Sequence, residues 1–186
     1  MNILIDKLPT EHKGLKINTN FRLFILFELL MQDKDYTPEE KIKLSLDLFF
    51  ENKITNIKEA VECILWFYSG GIDKKEKKEK KEESQTKKRI YSFEYDAEYI
   101  YSAFLDQYGI DLNEIDYLHW WKFKAMFKSL KSDNKIVEIM GYRAINVSKI
   151  KNKDEQKKYK KLQMEFALPD NRSEEEKETE FANALW

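Results

Sequence analysis

The stretch DYLHWWKFKAMF, Asp116 to Phe127, decides how this chain is to be read. Wound as a helix at about 100° per residue, its apolar side chains fall into two stripes. Leu118, Trp121 and Ala125 lie on one side; Trp120, Phe123, Phe127 and, just beyond, Leu130 lie on roughly the other. A surface helix needs one apolar face. A second face implies either a helix sandwiched inside a domain or one that offers a stripe to another protein. Trp66 raises the same question, because it points away from the apolar stripe of its own segment.

Outward from this stretch the chain is built for helices. Its 186 residues are 42% hydrophobic and 14% aromatic, enough for one medium domain or two small ones. Only 5 glycines and 3 prolines are present, which disfavours a turn-rich β architecture. Phe21 to Met31, FRLFILFELLM, is apolar nearly all round and predicts a buried helix from about Asn20. It contains Arg22 and Glu28 and has about half the ~20 residues of a membrane span, so no membrane partner is expected. Thr37-Pro38-Glu39-Glu40 is a capping box with proline at the first helical position. The helix behind it should bury Ile42, Leu46, Phe49 and Phe50. A third helix, from about Asn56, should bury Ile57, Val61, Ile64, Leu65 and Tyr68 and stop at Ser69-Gly70-Gly71. Further helices are expected over about 94–107, 117–130, 134–140 (halted by Gly141), 154–166 and from Ser173 onward. Ile3–Ile5 and Leu15–Ile17, around Pro9 and Gly14, predict a short N-terminal hairpin.

Lys74 to Arg89, KKEKKEKKEESQTKKR, carries nine basic and four acidic residues and no apolar one. Such a run cannot enter a core. The expected organisation is therefore mostly all-α: a helical lobe over 1–72 with the hairpin, a linker over 73–90, and a second helical lobe over 91–186.

Chemistry is conspicuous by its scarcity. His12 and His119 lie far apart, no Cys/His ligand spacing occurs, and the glycines form no phosphate loop. Cys63, the only cysteine, permits no internal disulfide and sits in an apolar helix, where an inert thiol is expected. Neither an enzyme nor a cofactor or metal site is expected. Lys+Arg 33 against Asp+Glu 34 leaves no global field toward nucleic acid. The lysine run lacks interleaved aromatics, so nucleic acid is an unfavoured partner. A reducing intracellular setting fits the cysteine usage, and no signal-peptide pattern is visible.

What exceeds the needs of a core is the aromatic and aliphatic content. Trp66, Trp120, Phe123 and Phe127, with Phe181, Leu185 and Trp186 in the terminal FANALW, are the expected partner-binding residues, since large aromatic anchors dominate interfaces.

Four stretches carry a resemblance: INTNFR (17–22), LHWWKFKAMF (118–127), IMGYRAINVSKIKNKDEQKKYKKLQ (139–163) and ALPDNRSEEEKETEFANALW (167–186). In them the chain resembles the bacteriophage gene-product-fifteen family of long-tailed phages and prophages of Gram-positive bacteria. The resemblance implies a helical, non-enzymatic tail assembly chaperone. It implies binding to the tape measure protein, which is kept soluble in the host cytoplasm until tail-tube subunits polymerise around it, and absence from the mature virion. The major tail tube protein and further chaperone copies are additional implied partners. A permanent minor component of the tail is the alternative role. The family supplies no catalytic residues.

Overall fold

A computed structural model describes residues 2–72 and 89–169. Among these described residues lie seven α-helices: α1 Phe21–Gln32, α2 Pro38–Phe49, α3 Ile57–Ser69, α4 Ala97–Tyr108, α5 Trp120–Lys128, α6 Lys135–Ala144 and α7 Lys153–Glu165. A 3-10 turn, Val147–Lys149, precedes α7, and a two-stranded hairpin, β1 Glu11–His12 and β2 Leu15–Lys16, precedes α1.

The helix starts follow local chemistry. Asn20 accepts the amide of Arg22 with its side chain, Thr37 and Glu40 form the full capping box, and Asn152 accepts from Asp154 and Glu155. Gly70 and Gly109 close α3 and α4 in the left-handed conformation. The hairpin lies later than Ile3–Ile5, because its turn is set by Lys13 and Gly14. Both take positive φ (51° and 79°), as a two-residue turn between twisted strands requires.

Several expectations are corrected. Gly141 does not end α6, which runs to Ala144; its φ is not positive, so it sits as an ordinary helical residue. α3 is rotated from its expected setting: Ala60, Cys63, Ile64 and Phe67 are buried, while Ile57 and Leu65 are exposed. Ile42 of α2 is exposed as well. The helix expected from Ser173 lies outside the described residues.

The largest correction concerns the two lobes. The helices before and after 73–88 share one hydrophobic core, with Phe21, Phe24, Phe49 and Phe67 packed in the same cluster as Phe93, Phe104, Trp120 and Phe123. α5 joins them by packing on α1 and on α3. Phe24 and Trp120 stack with ring centroids 5.1 Å apart, and Phe123 lies between Phe21 (4.9 Å) and Phe104 (5.0 Å). Backbone pairing reinforces the seam: Phe21 N–H donates to the Leu118 carbonyl and Trp120 N–H to that of Thr19, both at 2.9 Å. A charged run in the sequence does not divide the core that its flanks build.

Candidate partner-binding surface

The two stripes of α5 are both interior. Trp120 and Phe123 are 3% and 1% exposed, and Trp121 on the opposite stripe is 7% exposed. Each indole N–H finds a carbonyl: Trp120 Nε1 donates to Tyr68 at 3.2 Å, Trp121 Nε1 to Phe67 at 2.7 Å. Buried indoles satisfied in this way are structural, which corrects Trp120 and Phe123 as partner contacts. Lys124 Nζ donates to the Tyr68 carbonyl at 2.7 Å, tying the end of α3 to α5. Phe127 is half-buried against Tyr91 and Phe93. Trp66 is half-buried because the hairpin covers it: the His12 ring stacks on it at 4.1 Å. Phe181, Leu185 and Trp186 lie outside the described residues.

His119 holds the start of α5 in an unusual way. Its Nδ1 accepts the amide of Trp121 at 3.1 Å, so Nε2 carries the proton and donates to the Pro9 carbonyl at 2.9 Å. Burial lowers its pKa below the ordinary histidine value, favouring this neutral tautomer. Cys63 is sealed in α3, and burial pushes its thiol up to about 11, out of the nucleophile range. No grouping of His, Cys, Asp and Glu able to hold a metal occurs among the described residues, and none of their helices is long and apolar enough to cross a membrane.

Exposed apolar side chains occur on several elements, and those of α1 adjoin a cleft. A cleft of about 500 Å³ opens between α1 and α4. Phe21, Phe93, Ile100 and Phe123 back its floor, while Ile25 of α1 and Ala97 and Tyr101 of α4 form the walls nearer solvent. Beside Ile25, Leu26 is 50% exposed, and Met31 is exposed further along the helix. With Phe21, Phe24 and Phe27 turned into the core, these side chains are the part of the helix's all-round apolar character that folding leaves uncovered.

The cleft mouth is held by polar contacts. Arg22 reaches across it and donates to the carbonyls of Leu112 and Ile115, each at 2.7 Å, and of Asn113 at 3.2 Å. Tyr101 donates to Asp111 at 2.8 Å. The Asn113 amide, then Tyr101, hold the Asp111 carboxyl below the usual carboxylate range. These bonds fix the 111–116 loop as one wall, so the cleft is preformed. A larger hollow of about 980 Å³ lies under the hairpin, but Lys7, Lys16, Lys53, Lys122, Asp6 and Glu51 ring it. Its charged rim suits an apolar helix less well than the aromatic-backed cleft.

Sequence reading missed Ile25, Leu26, Ala97 and Tyr101 as a group. The uniform apolarity of 21–31 was the available signal, yet it marks every face of α1 alike. Only the packing of α2 and α5 leaves one face over.

Compared with known proteins, residues 4–168 match the family profile described as "Bacteriophage Gp15 protein". No curated protein and no solved structure matches the chain.

Proposed function

The chain belongs to the bacteriophage Gp15 family, and from that premise we propose that it is a tail assembly chaperone for the tape measure protein. In this reading it binds the long apolar helix of that protein in the host cytoplasm. It holds the helix soluble until tube subunits replace it, and it leaves before the particle matures.

The observation that carries the reading is the α1–α4 cleft, lined by the half-buried Ile25 and with the half-exposed Leu26 next to it on α1. A helical ligand presents side chains at i, i+3, i+4 and i+7, and a groove between two helices receives such a row. Displacement by tube subunits calls for modest affinity at each cleft, with repeated copies along one ligand supplying the total. A shallow site with few immobilised polar contacts fits that demand, and nothing in this role needs a catalytic group.

The test is co-expression with a tape measure fragment, read as the fragment's soluble fraction. The wild-type chain should raise it, and Leu26→Glu combined with Ala97→Glu should abolish the gain. Leu26 is half exposed, and a glutamate in the first turn of α4 suits the helix dipole, so the double variant keeps its fold. No gain in solubility with the wild-type chain would refute the assignment.

A further inference from the structure

α7 carries a face that the fold leaves unpartnered. Seven lysines lie between positions 149 and 161, against Asp154 and Glu155 only. Lys153, Lys157, Lys160 and Lys161 recur at helical spacing on the exposed side, and the stripe continues to Met164, 75% exposed. None of these lysines has an ion-pair partner among the described residues. The opposite side of α7 is half-buried against α6 and the turn after it: Gln163 Nε2 donates to the carbonyls of Tyr142 and Ile145, both at 2.8 Å, and Tyr159 packs on Tyr142. The helix is thus anchored by one side and presents concentrated positive charge on the other.

The complement is on the same molecule. From Ile90 to Trp121 the chain has seven acidic residues and no lysine or arginine. Asp96 is spent internally on Arg143, with contacts at 2.6 and 2.9 Å. Glu94, Glu98, Asp106, Glu114 and Asp116 are exposed on the turn entering α4, on α4 and on the loop after it, with Tyr95, Tyr99 and Tyr117 among them. α6 packs against α4 on one side and α7 on the other, so the two fields sit apart with a helix between them.

We propose that copies of this chain associate head to tail, the lysine face of α7 in one copy docking on the acidic, tyrosine-bearing face of α4 in the next. Opposite potentials steer and register such a contact, and lysine ammoniums find both carboxylates and tyrosine rings there. The two faces differ, so the contact is heterologous and repeats as an open row. Nucleic acid is the less suitable occupant: the lysine stripe has no aromatic on its exposed side, and the acidic face repels phosphate. A row of copies suits the proposed coating of a long helix, but the association needs no ligand.

Sedimentation velocity on the full chain tests this directly. At about 20 mM salt the mean mass should rise with concentration. At about 0.5 M, where screening is nearly complete within a few ångströms, the dissociation constant should weaken by at least about tenfold. Lys157→Glu/Lys160→Glu/Lys161→Glu should be monomeric alone, and so should Glu94→Lys/Asp106→Lys/Glu114→Lys. Mixing the two variants should restore association, which no loss of folding can mimic. A wild-type monomer at both salt levels overturns the proposal. So does association that either triple variant leaves intact, or a mixture that stays monomeric, including one whose lysine face instead captures a DNA or RNA oligomer. The assay contains no tape measure fragment, so its failure leaves the chaperone reading to its own test.

Discussion

His119 shows how much one side chain settles in this protein. It caps α5, reaches the N-terminal segment through Pro9, and sits against Trp121. As a cation it would lose the acceptor at Nδ1 and leave the Trp121 amide without its cap. Burial holds its folded pKa below the ordinary 6.5, so the unfolded chain binds the proton more readily than the native one. The linkage sign follows: its contribution is present above about pH 6.5 and is lost as pH falls through the lowered folded value. Denaturant midpoints followed from about pH 7.5 to about pH 5.5 should therefore fall on the acid side. His119→Asn, which can still cap through its amide oxygen, should remove that part of the slope. None of this could be read from a histidine next to two tryptophans. The capping role depends on the backbone turning at Leu118 to pair with Phe21, a contact nearly a hundred positions away in sequence.

Between elements, the main clip is a buried ion pair. Arg143 of α6 is 6% exposed and binds Asp96, at the start of α4, through two nitrogens. Its Nε donates to the Phe166 carbonyl at the end of α7, at 2.6 Å, and Nη1 to that of Ile90. Ser92 N–H completes the Asp96 carboxylate at 2.8 Å. One guanidinium thus gathers α4, α6, α7 and the segment entering α4. Removing it strands a buried carboxylate, so Arg143→Leu should cost about 3–5 kcal/mol in chemical denaturation. Arg143→Leu with Asp96→Leu should recover much of that loss, since no unpaired charge remains. The element boundaries themselves were largely legible, because capping residues act locally: Asn20, Thr37, Asn152, Gly70 and Gly109 all stand where their chemistry is needed. Gly141 was misleading since glycine's helix penalty of about 1 kcal/mol is outweighed once α6 is anchored on both sides. The rotation of α3 was equally hidden. Which of its apolar residues turn inward is decided by α5 and the hairpin, and Trp66 is claimed by His12 across the chain.

For the whole molecule, the relevant fact is that one core draws on residues from both sides of 73–88. Heating should give a single transition whose calorimetric and van't Hoff enthalpies agree, rather than the two expected of separate lobes; two resolved transitions would contradict the shared core. The all-helical class was readable from the scarcity of glycine and proline and from the capping signals. The undivided core was not, because charge composition reports what a segment avoids and is silent on what its flanks do. The α1–α4 cleft was hidden for a related reason: its walls, Ile25 and Ala97 among them, come from helices some seventy residues apart. The tryptophans drew attention as binding anchors, whereas the structure spends Trp120 and Trp121 on closing its own interior.

That closure has a consequence for synthesis. A ribosome releases α1 long before it releases α5, and Phe24 has no Trp120 to stack on until some hundred further residues have been made. Over that interval the nascent chain carries its most water-averse helix covered by α2 but with the side that α5 will close still open. Translation thus places this protein, briefly, in need of the same shelter that it is proposed to give.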